Sequence, residues 1–353
     1  MAKTKPIRVG IAGLGRAGYC MQCAEIQGYP EKFTLVAGCD PYEPWRKRAA
    51  ETYPSCAVYK TLDELLKDPN VDLLSIATAS SDHYAHAMAA LRTGKDVLLE
   101  KPMAVTFAEA QRLCSAAAKA KGRLFIRHNR RFEPGFQHIR QIVASGILGE
   151  VYDIRLARTS YQRRDDWQTL ERFGGGQLRN WGPHIIDHGL QFLGAPKKPL
   201  KHLWACLKKV VAAGDAEDYL NIVMAGANDC VVNITISGGA AINLPVYYIA
   251  GSRGALTADD HTITLRYLDP HRKLPARKPI ITAPRNDMTT PEDLPWIEQT
   301  LPVAPDKPLD YWEELYKAIR LKKPFVVTLD EALEVMRVIS EVKKVKVRSL
   351  ASK

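Results

Sequence analysis

The hexapeptide Gly13-Leu14-Gly15-Arg16-Ala17-Gly18 limits the fold of this chain more than any other feature. It directly follows a short, largely apolar run, Ile7-Arg8-Val9-Gly10-Ile11-Ala12, and it precedes helical spacing from Ala17 to about Gln27. A GxGxxG between a buried strand and a helix has three steric uses. The first glycine permits a tight turn, the second lets a pyrophosphate approach the backbone, and the third lets helix and strand pack closely. The helix N-terminus adds unpaired N–H groups and the positive end of a dipole. Gly13, Gly15, Arg16, Ala17 and Gly18 are therefore candidate dinucleotide contacts.

The following segments fit the same plan. Phe33 to Cys39 reads as a second strand and ends in Asp40, about twenty residues past the glycines, where a carboxylate accepts hydrogen bonds from the adenosine ribose hydroxyls. That charge repels a 2′-phosphate, which favours NAD, although Arg46 and Lys47 in the same loop would admit NADP. Strand-like runs at Val71 to Ala77, Asp96 to Glu100 and Leu124 to Ile126 alternate with helical stretches from Pro44, Leu62, Asp82 and Thr106. Thr61 with Glu64 has the order of a capping box. Strands and helices alternating at this spacing predict a Rossmann fold, a doubly wound parallel sheet, over residues 1–127.

Past residue 128 the pattern changes. A helix from Pro134 to Ser145 leads into strand-like segments at Val151 to Thr159, Leu203 to Ala212, Tyr219 to Met224, Cys230 to Ser237 and Tyr247 to Ala250. Their alternation predicts a second α/β domain, 128–353, with a mostly antiparallel sheet covered on one face. A helix from Gly182 to Phe192 interrupts the strands. Residues 269–305, rich in proline and charge, read as an extended excursion, and two helices near Leu309 to Leu321 and Leu329 to Val345 close the chain. The last helix is expected to pack back across the first domain.

Composition narrows the function classes. The net charge of +11 lies mostly along predicted helices and in the tail Lys343-Lys344-Val345-Lys346-Val347-Arg348 and Lys353, with no basic stripe interleaved with aromatics. A solvated face accounts for it, and no nucleic-acid partner is expected. No apolar run approaches the roughly 18 residues of a membrane span. The first residues, Met1-Ala2-Lys3-Thr4-Lys5-Pro6, lack the apolar stretch of a secretory leader, so a cytoplasmic location is expected. The seven cysteines are scattered, and Cys20-x-x-Cys23 has neither a second CxxC nor a His pair, so no metal site is expected.

Two clusters carry chemistry. Glu100-Lys101-Pro102 closes a strand of the parallel sheet, and ligands of such sheets sit beyond the C-terminal strand ends. An ammonium at Lys101 can polarise a substrate oxygen and stabilise alkoxide character. Pro102 fixes the chain in a turn compatible with a cis bond. Thr78, His83, Glu100 and Lys101, at or just past strand ends, complete the candidate cofactor contacts. The second cluster, Gly174 to His188, reads GGGQLRNWGPHIIDH. Its glycines suit close approach of backbone to a ligand. If the helix reaches back to Asn180, then Asn180, His184, Asp187 and Gln191 share one face. His184 is the natural proton acceptor when a hydroxyl is oxidised near neutral pH. Lys101, His184 and Asn180 are the candidate catalytic residues. Lys101, Arg131, Tyr161, Arg163, Trp167, Asn180 and Asp187 are the candidate substrate contacts, because aromatic faces beside charged hydrogen-bonding groups suit a polyhydroxylated ring. The arginines could also hold a carboxylate or phosphate on that sugar.

Taken together, AGLGRAG, the strand-end Asp40, the EKP tripeptide and GGGQLRNWGPHIIDH resemble the Gfo/Idh/MocA oxidoreductases, in the right order and across essentially the whole chain. The resemblance implies a Rossmann domain followed by an α/β domain whose large open sheet often mediates homodimers or homotetramers. It also implies that Lys101 and His184 frame the substrate carbon facing the nicotinamide. This sequence departs from the family at Asn180, where an Asp is usual. An Asp there would strengthen the histidine as a base, and without it the proton can pass to Asp187 or Lys101. The second departure is Thr78-Ala79-Ser80, where many members have Thr-Pro, which alters loop shape beside the nicotinamide.

The expected function is hydride transfer between NAD and a hydroxyl or keto carbon of a sugar, sugar derivative or cyclitol. Two alternatives differ in what they predict. An enzyme that recycles its NAD while modifying a glycoside would release bound nicotinamide on denaturation. A non-catalytic NAD-binding sensor, motivated by Asn180, would bind NAD and oxidise no sugar.

Overall fold

The computed structural model describes residues 5–276 and 293–350. The N-terminal Met1 to Thr4, the middle of the 269–305 excursion and Lys353 of the basic tail lie outside the described residues.

The first sheet contains β1 (Ile7–Ala12), β2 (Phe33–Cys39), β3 (Ala57–Tyr59), β4 (Leu73–Ile76), β5 (Asp96–Glu100) and β6 (Leu124–Arg127). All pairs are parallel, in the order β3-β2-β1-β4-β5-β6. The order reverses between β1 and β4, and that switch point is where such sheets bind ligands. The strands read as apolar runs because successive side chains enter two different buried layers. Ile7, Val9, Ile11, Leu73, Leu98 and Phe125 belong to one core cluster, and Ala12, Leu74, Ile76, Val97 and Leu99 to the other.

The helix after the glycine turn is wound as a π-helix over Arg16–Cys23 and continues as α1 (Ala24–Ile26). The expected plain α-helix is therefore corrected to a wider coil. Around the sheet lie α2 (Glu43–Thr52), α3 (Leu62–Leu66), α4 (His83–Arg92) and α5 (Phe107–Ala117). Reciprocal capping boxes at Thr61/Glu64 and Thr106/Glu109 begin α3 and α5, each satisfying two backbone donors that would otherwise lack partners.

After α6 (Pro134–Ala144) a second sheet forms from β7 (Val151–Thr159), β8 (His202–Lys209), β9 (Tyr219–Ala225), β10 (Val231–Ser237), β11 (Tyr247–Gly251), β12 (Gly254–Ala258), β13 (Thr262–Leu268), β14 (Trp296–Pro302) and β15 (Arg348–Ser349). The order is β14-β13-β12-β11-β7-β10-β9-β8-β15. Only β7–β10 and β8–β15 are parallel among the described strands. The sequence reading lacks β3, β12, β13, β14 and β15, and β14 corrects the reading of 269–305 as excursion throughout. On β13, buried Ile263, Leu265 and Tyr267 alternate with exposed Thr264 and Arg266, a period-2 signal present in the sequence.

One face of this sheet is covered by α8 (Gly182–Leu193), which lies on β7 and β10 behind the short α7 (Gln177–Asn180). Across the other face, Trp204, Val223, Asn233, Arg155, Tyr248, Thr257, Thr264 and Thr300 stand in register on neighbouring strands. Two helices close the described chain, α9 (Tyr311–Leu321) and α10 (Leu329–Lys343). Trp312, Leu315 and Ile319 of α9 join the core cluster of Ile7, Val9 and Phe33, so α9 walls the first sheet, while α10 packs between α5 and α8. Among the described residues no helix is long and apolar enough to cross a membrane.

Candidate functional site

The glycine turn has the shape its sequence requires. Gly13 is in a left-handed conformation (φ +91°), and a Cβ there would lie 2.5 Å from the Ala77 carbonyl oxygen. A Cβ on Gly18 would lie 1.8 Å from the Gly13 carbonyl oxygen. Gly15 caps the following helix without any side-chain hydrogen bond, and Arg16 stands exposed while Ala17 is half-buried, so the first helical N–H groups keep the donor capacity an anion needs. Asp40, buried at the end of β2, accepts the Leu14 N–H on Oδ2 and the Tyr42 N–H on Oδ1, both at 2.8 Å, which ties the turn to the strand. Trp45 lies against Gly15, edge-on to Tyr42. Exposed donors at a helix start, a glycine where backbone must come close, and a carboxylate at the neighbouring strand end fit a dinucleotide.

At the far side of the switch point, Lys101 follows β5 through a cis Lys101–Pro102 bond. Its Nζ donates to the main-chain oxygen of Asn180 at 3.0 Å, so a side chain of the first domain meets the Gly-rich segment of the second. Burial, with Arg130, Arg127 and Arg16 nearby, pushes the Lys101 ammonium down to about 8. Asn180 ends α7, and the helix is interrupted at Trp181 before α8 begins, so the single helix that the shared-face argument needs does not form. His184 lies in the first turn of α8, 6% exposed, with Nδ1 buried and unpartnered among the described residues. Burial first, then the charges of Lys101 and Arg130, holds its pKa well below that of free imidazole, so the ring is neutral. The edge of the Trp181 indole faces His184 with centroids 6.1 Å apart, and the guanidiniums of Arg130 and Arg158 lie 4.1 and 5.1 Å from that indole.

Several expected site residues are engaged by the protein itself. The Glu100 carboxylate accepts from Arg127 and Gln22, both at 3.0 Å, while its charge still favours the Lys101 ammonium. His83 places Nδ1 2.7 Å from the Pro102 carbonyl and Nε2 3.2 Å from the Thr78 carbonyl. A neutral imidazole donates to one carbonyl only, and the shorter contact marks Pro102 as that acceptor. Thr78 shares its hydroxyl with His86 at 3.0 Å. Arg131 and Asp187 form a two-pronged ion pair at 2.5 and 2.6 Å, each side chain 2% exposed, and Arg131 also reaches Glu331 at 2.9 Å. Gln191 joins this network by donating to Glu331 at 3.1 Å. These two residues therefore fasten α8 to α10 and present no free edge to a substrate. Tyr161 (58% exposed), Arg163 and Trp167 stand on the loop between β7 and α7, with no hydrogen bond or ring contact to Lys101 or His184 among the described residues.

The glycine triplet is corrected too. Cβ atoms on Gly175 and Gly176 would meet the Gln168 carbonyl at 2.5 Å and the Glu217 carboxylate at 2.3 Å, so the small residues admit protein, not ligand. Glu217, which sequence reasoning missed, accepts the Leu178 N–H at 2.9 Å and so anchors the start of α7. Its only signal in the sequence is one acidic residue in the run Asp215-Ala216-Glu217-Asp218 before a strand. Arg127 and Arg130 were equally invisible, being two among many basic residues around β6.

Comparison with known proteins bears on the fold and the family. Residues 7–128 match a model described as an oxidoreductase family with an NAD-binding Rossmann fold, and residues 136–257 match the GFO/IDH/MocA C-terminal domain. The chain is 27% identical over 339 residues to the uncharacterized oxidoreductase YdgJ of Escherichia coli, covering 94% of each. It is 26% identical over 357 residues to scyllo-inositol 2-dehydrogenase (NADP(+)) IolW of Bacillus subtilis, covering 96% of this chain and 93% of that protein. In fold it is similar to the WlbA dehydrogenase of Bordetella pertussis, solved with NADH and UDP-GlcNAcA, with TM-score 0.77, 19% identity, and 98% and 97% of the chains covered.

Proposed function

Because the chain belongs to the Gfo/Idh/MocA family of NAD(P)-dependent oxidoreductases, we propose that it transfers hydride between NAD and a CH–OH or keto carbon of a sugar, sugar derivative or cyclitol. The observation that carries this reading is the meeting of Lys101 with Asn180, with His184 in the next helical turn, beyond the C-terminal edge of the sheet that bears the dinucleotide turn. The comparisons support the oxidoreductase class. The choice of NAD rests on Asp40, and the roles below rest on geometry.

Gly13, Gly15, Arg16, Ala17 and Gly18 would hold the pyrophosphate, Asp40 the adenosine ribose, and the nicotinamide would lie toward Lys101. When bound, the nicotinamide supplies the hydride acceptor or donor. Lys101 binds the oxygen on the reacting carbon and takes its proton during oxidation. An amine lowered to about 8 suits that task, because it lies close enough to physiological pH for the neutral form to be populated. His184, held neutral, hydrogen-bonds the same oxygen and orients it. Asn180 contributes its carbonyl to Lys101 and brings no charge. The proton therefore passes to Lys101, since Asp187 is neutralised by Arg131.

Two outcomes test this. Screening inositols, monosaccharides, uronates and glycosides for NAD reduction should find a substrate, and for it kcat/KM of oxidation should rise with pH through about 8 and then level, as Lys101 loses its proton. The reductive direction should fall over the same interval. A flat profile across that range would remove Lys101 as proton acceptor. In Asp40→Ser the ratio of kcat/KM for NADP to that for NAD should rise about tenfold or more, since a like charge beside the 2′-phosphate has gone. Affinity for both forms falls with the lost Leu14 and Tyr42 contacts, so the ratio is the quantity to measure.

The open face of the second sheet, with Trp204 and Tyr248 in its register row, is the surface on which a homodimer or homotetramer would form. Sedimentation at micromolar concentration decides it.

A further inference from the structure

The acidic side chains nearest Lys101 are all committed to arginines. Glu100 accepts from Arg127. Asp187 is held by Arg131 from both prongs. Glu133 pairs with Arg130, and Arg158 pairs with Asp260 while lying 3.8 Å from Glu133. Lys101 itself is left with a neutral main-chain oxygen as its hydrogen-bond partner. At position 180, where a carboxylate would balance it, stands an amide.

The result is a site edge at which guanidinium N–H groups are left over. Arg130, about a quarter exposed, spends one nitrogen on Glu133 and stacks over the Trp181 indole whose edge faces His184. Its remaining N–H groups have no side-chain partner among the described residues. Arg130 is one of the charges that lower both Lys101 and His184, after burial in each case and, for Lys101, against the opposing charge of Glu100. The Arg130 N–H groups that Glu133 does not use are donors with which an anion on the ring makes charge-assisted hydrogen bonds and a neutral polyol does not. A planar carboxylate also matches the fork of a guanidinium in a way a lone hydroxyl does not.

We propose that the substrate is a sugar acid, whose carboxylate lies against Arg130 over the Trp181 indole while the hydroxyl to be oxidised lies on Lys101. This rests on the dehydrogenase reading above and names its substrate class. In the oxidised direction the ring C–H bond breaks with its electron pair leaving to NAD, the O–H proton goes to Lys101, and a keto acid and NADH result. The carboxylate itself is unchanged.

The test measures kcat/KM with NAD for D-glucuronate and D-galacturonate against D-glucose, D-galactose and myo-inositol, with glucose 6-phosphate as a separate arm, at one ionic strength. At least one acid should exceed its neutral parent by about tenfold to a hundredfold, the size expected of a charge-assisted hydrogen bond. In Arg130→Gln that ratio should collapse toward one, mainly through KM, with the NAD-induced thermal shift kept. In Asn180→Asp, which puts a carboxylate back beside Lys101, acids should lose about tenfold or more relative to neutral sugars. The wild-type panel stands whether or not the variants fold. Equal or better turnover of neutral sugars overturns the sugar-acid proposal and leaves the dehydrogenase standing. A preference for the phosphate over both acids overturns the carboxylate assignment. Bound NAD with no sugar of any kind oxidised overturns both readings.

Discussion

Lys101→Ala is expected to lower kcat/KM for whichever sugar the enzyme oxidises by about a thousandfold or more, the scale of losing a positioned proton acceptor together with a charge on the developing alkoxide. The loss should fall on kcat, because the ammonium matters most when charge appears on the oxygen. NAD binding, followed by quenching of protein fluorescence or by thermal shift, should change little, since the residue's hydrogen bond runs to Asn180 and not to the glycine turn. Melting should also stay close to wild type, because the half-buried side chain gives up one neutral partner and a costly buried charge. Near-normal turnover in this variant would mean that the proton leaves by another path.

The second large effect concerns stability. Arg131→Leu should cost about 3–5 kcal/mol, the loss expected when one partner of a buried ion pair is removed and the other stays behind uncompensated. Asp187 would then sit fully buried with two unpaired oxygens, and Glu331 would lose its Arg131 donor. Urea unfolding measures this. The double variant Arg131→Leu/Asp187→Leu should recover part of the loss, because it removes both charges. If the single variant unfolds within about 1 kcal/mol of wild type, the pair is not what fastens α8 to α10. A weakened fastening should also show in kcat, since His184 rides on the same helix.

The parallel sheet was readable in the sequence because its information is local. GLGRAG sits between a strand and a helix, and Thr61 and Glu64 write their own capping box. Lys101 and His184 were legible for a related reason, since a strand end and a helix start each announce where a side chain will project. What escaped depends on pairing across long separations. That Glu100 faces Arg127 and not a ligand is set by two strands side by side. That Arg131 and Asp187 are spent on each other is set 56 residues apart. Gly174 to Gly176 signalled close approach correctly, but a glycine does not say what approaches, and here Glu217 does. The missed strands β12 to β14 follow a hairpin at Ser252-Arg253 that carries no Asn-Gly or Asp-Gly signal.

Helix α9 has a consequence for how this molecule can be cut or recombined. Its Trp312 indole donates to Glu25 at 2.8 Å, and the backbone oxygens at its end take hydrogen bonds from Arg123. Tyr29 reaches Asp310 at 2.5 Å, and Lys32 pairs with Glu313. The nucleotide half thus completes its interior with residues some three hundred positions further along the chain. A gene fragment ending near residue 127 would yield a sheet with one layer stripped bare, prone to clump on expression, whereas the same fragment fused through a short linker to residues 308–323 would regain its missing cover. Exchange of nucleotide halves between relatives should succeed only when this distant helix travels with them.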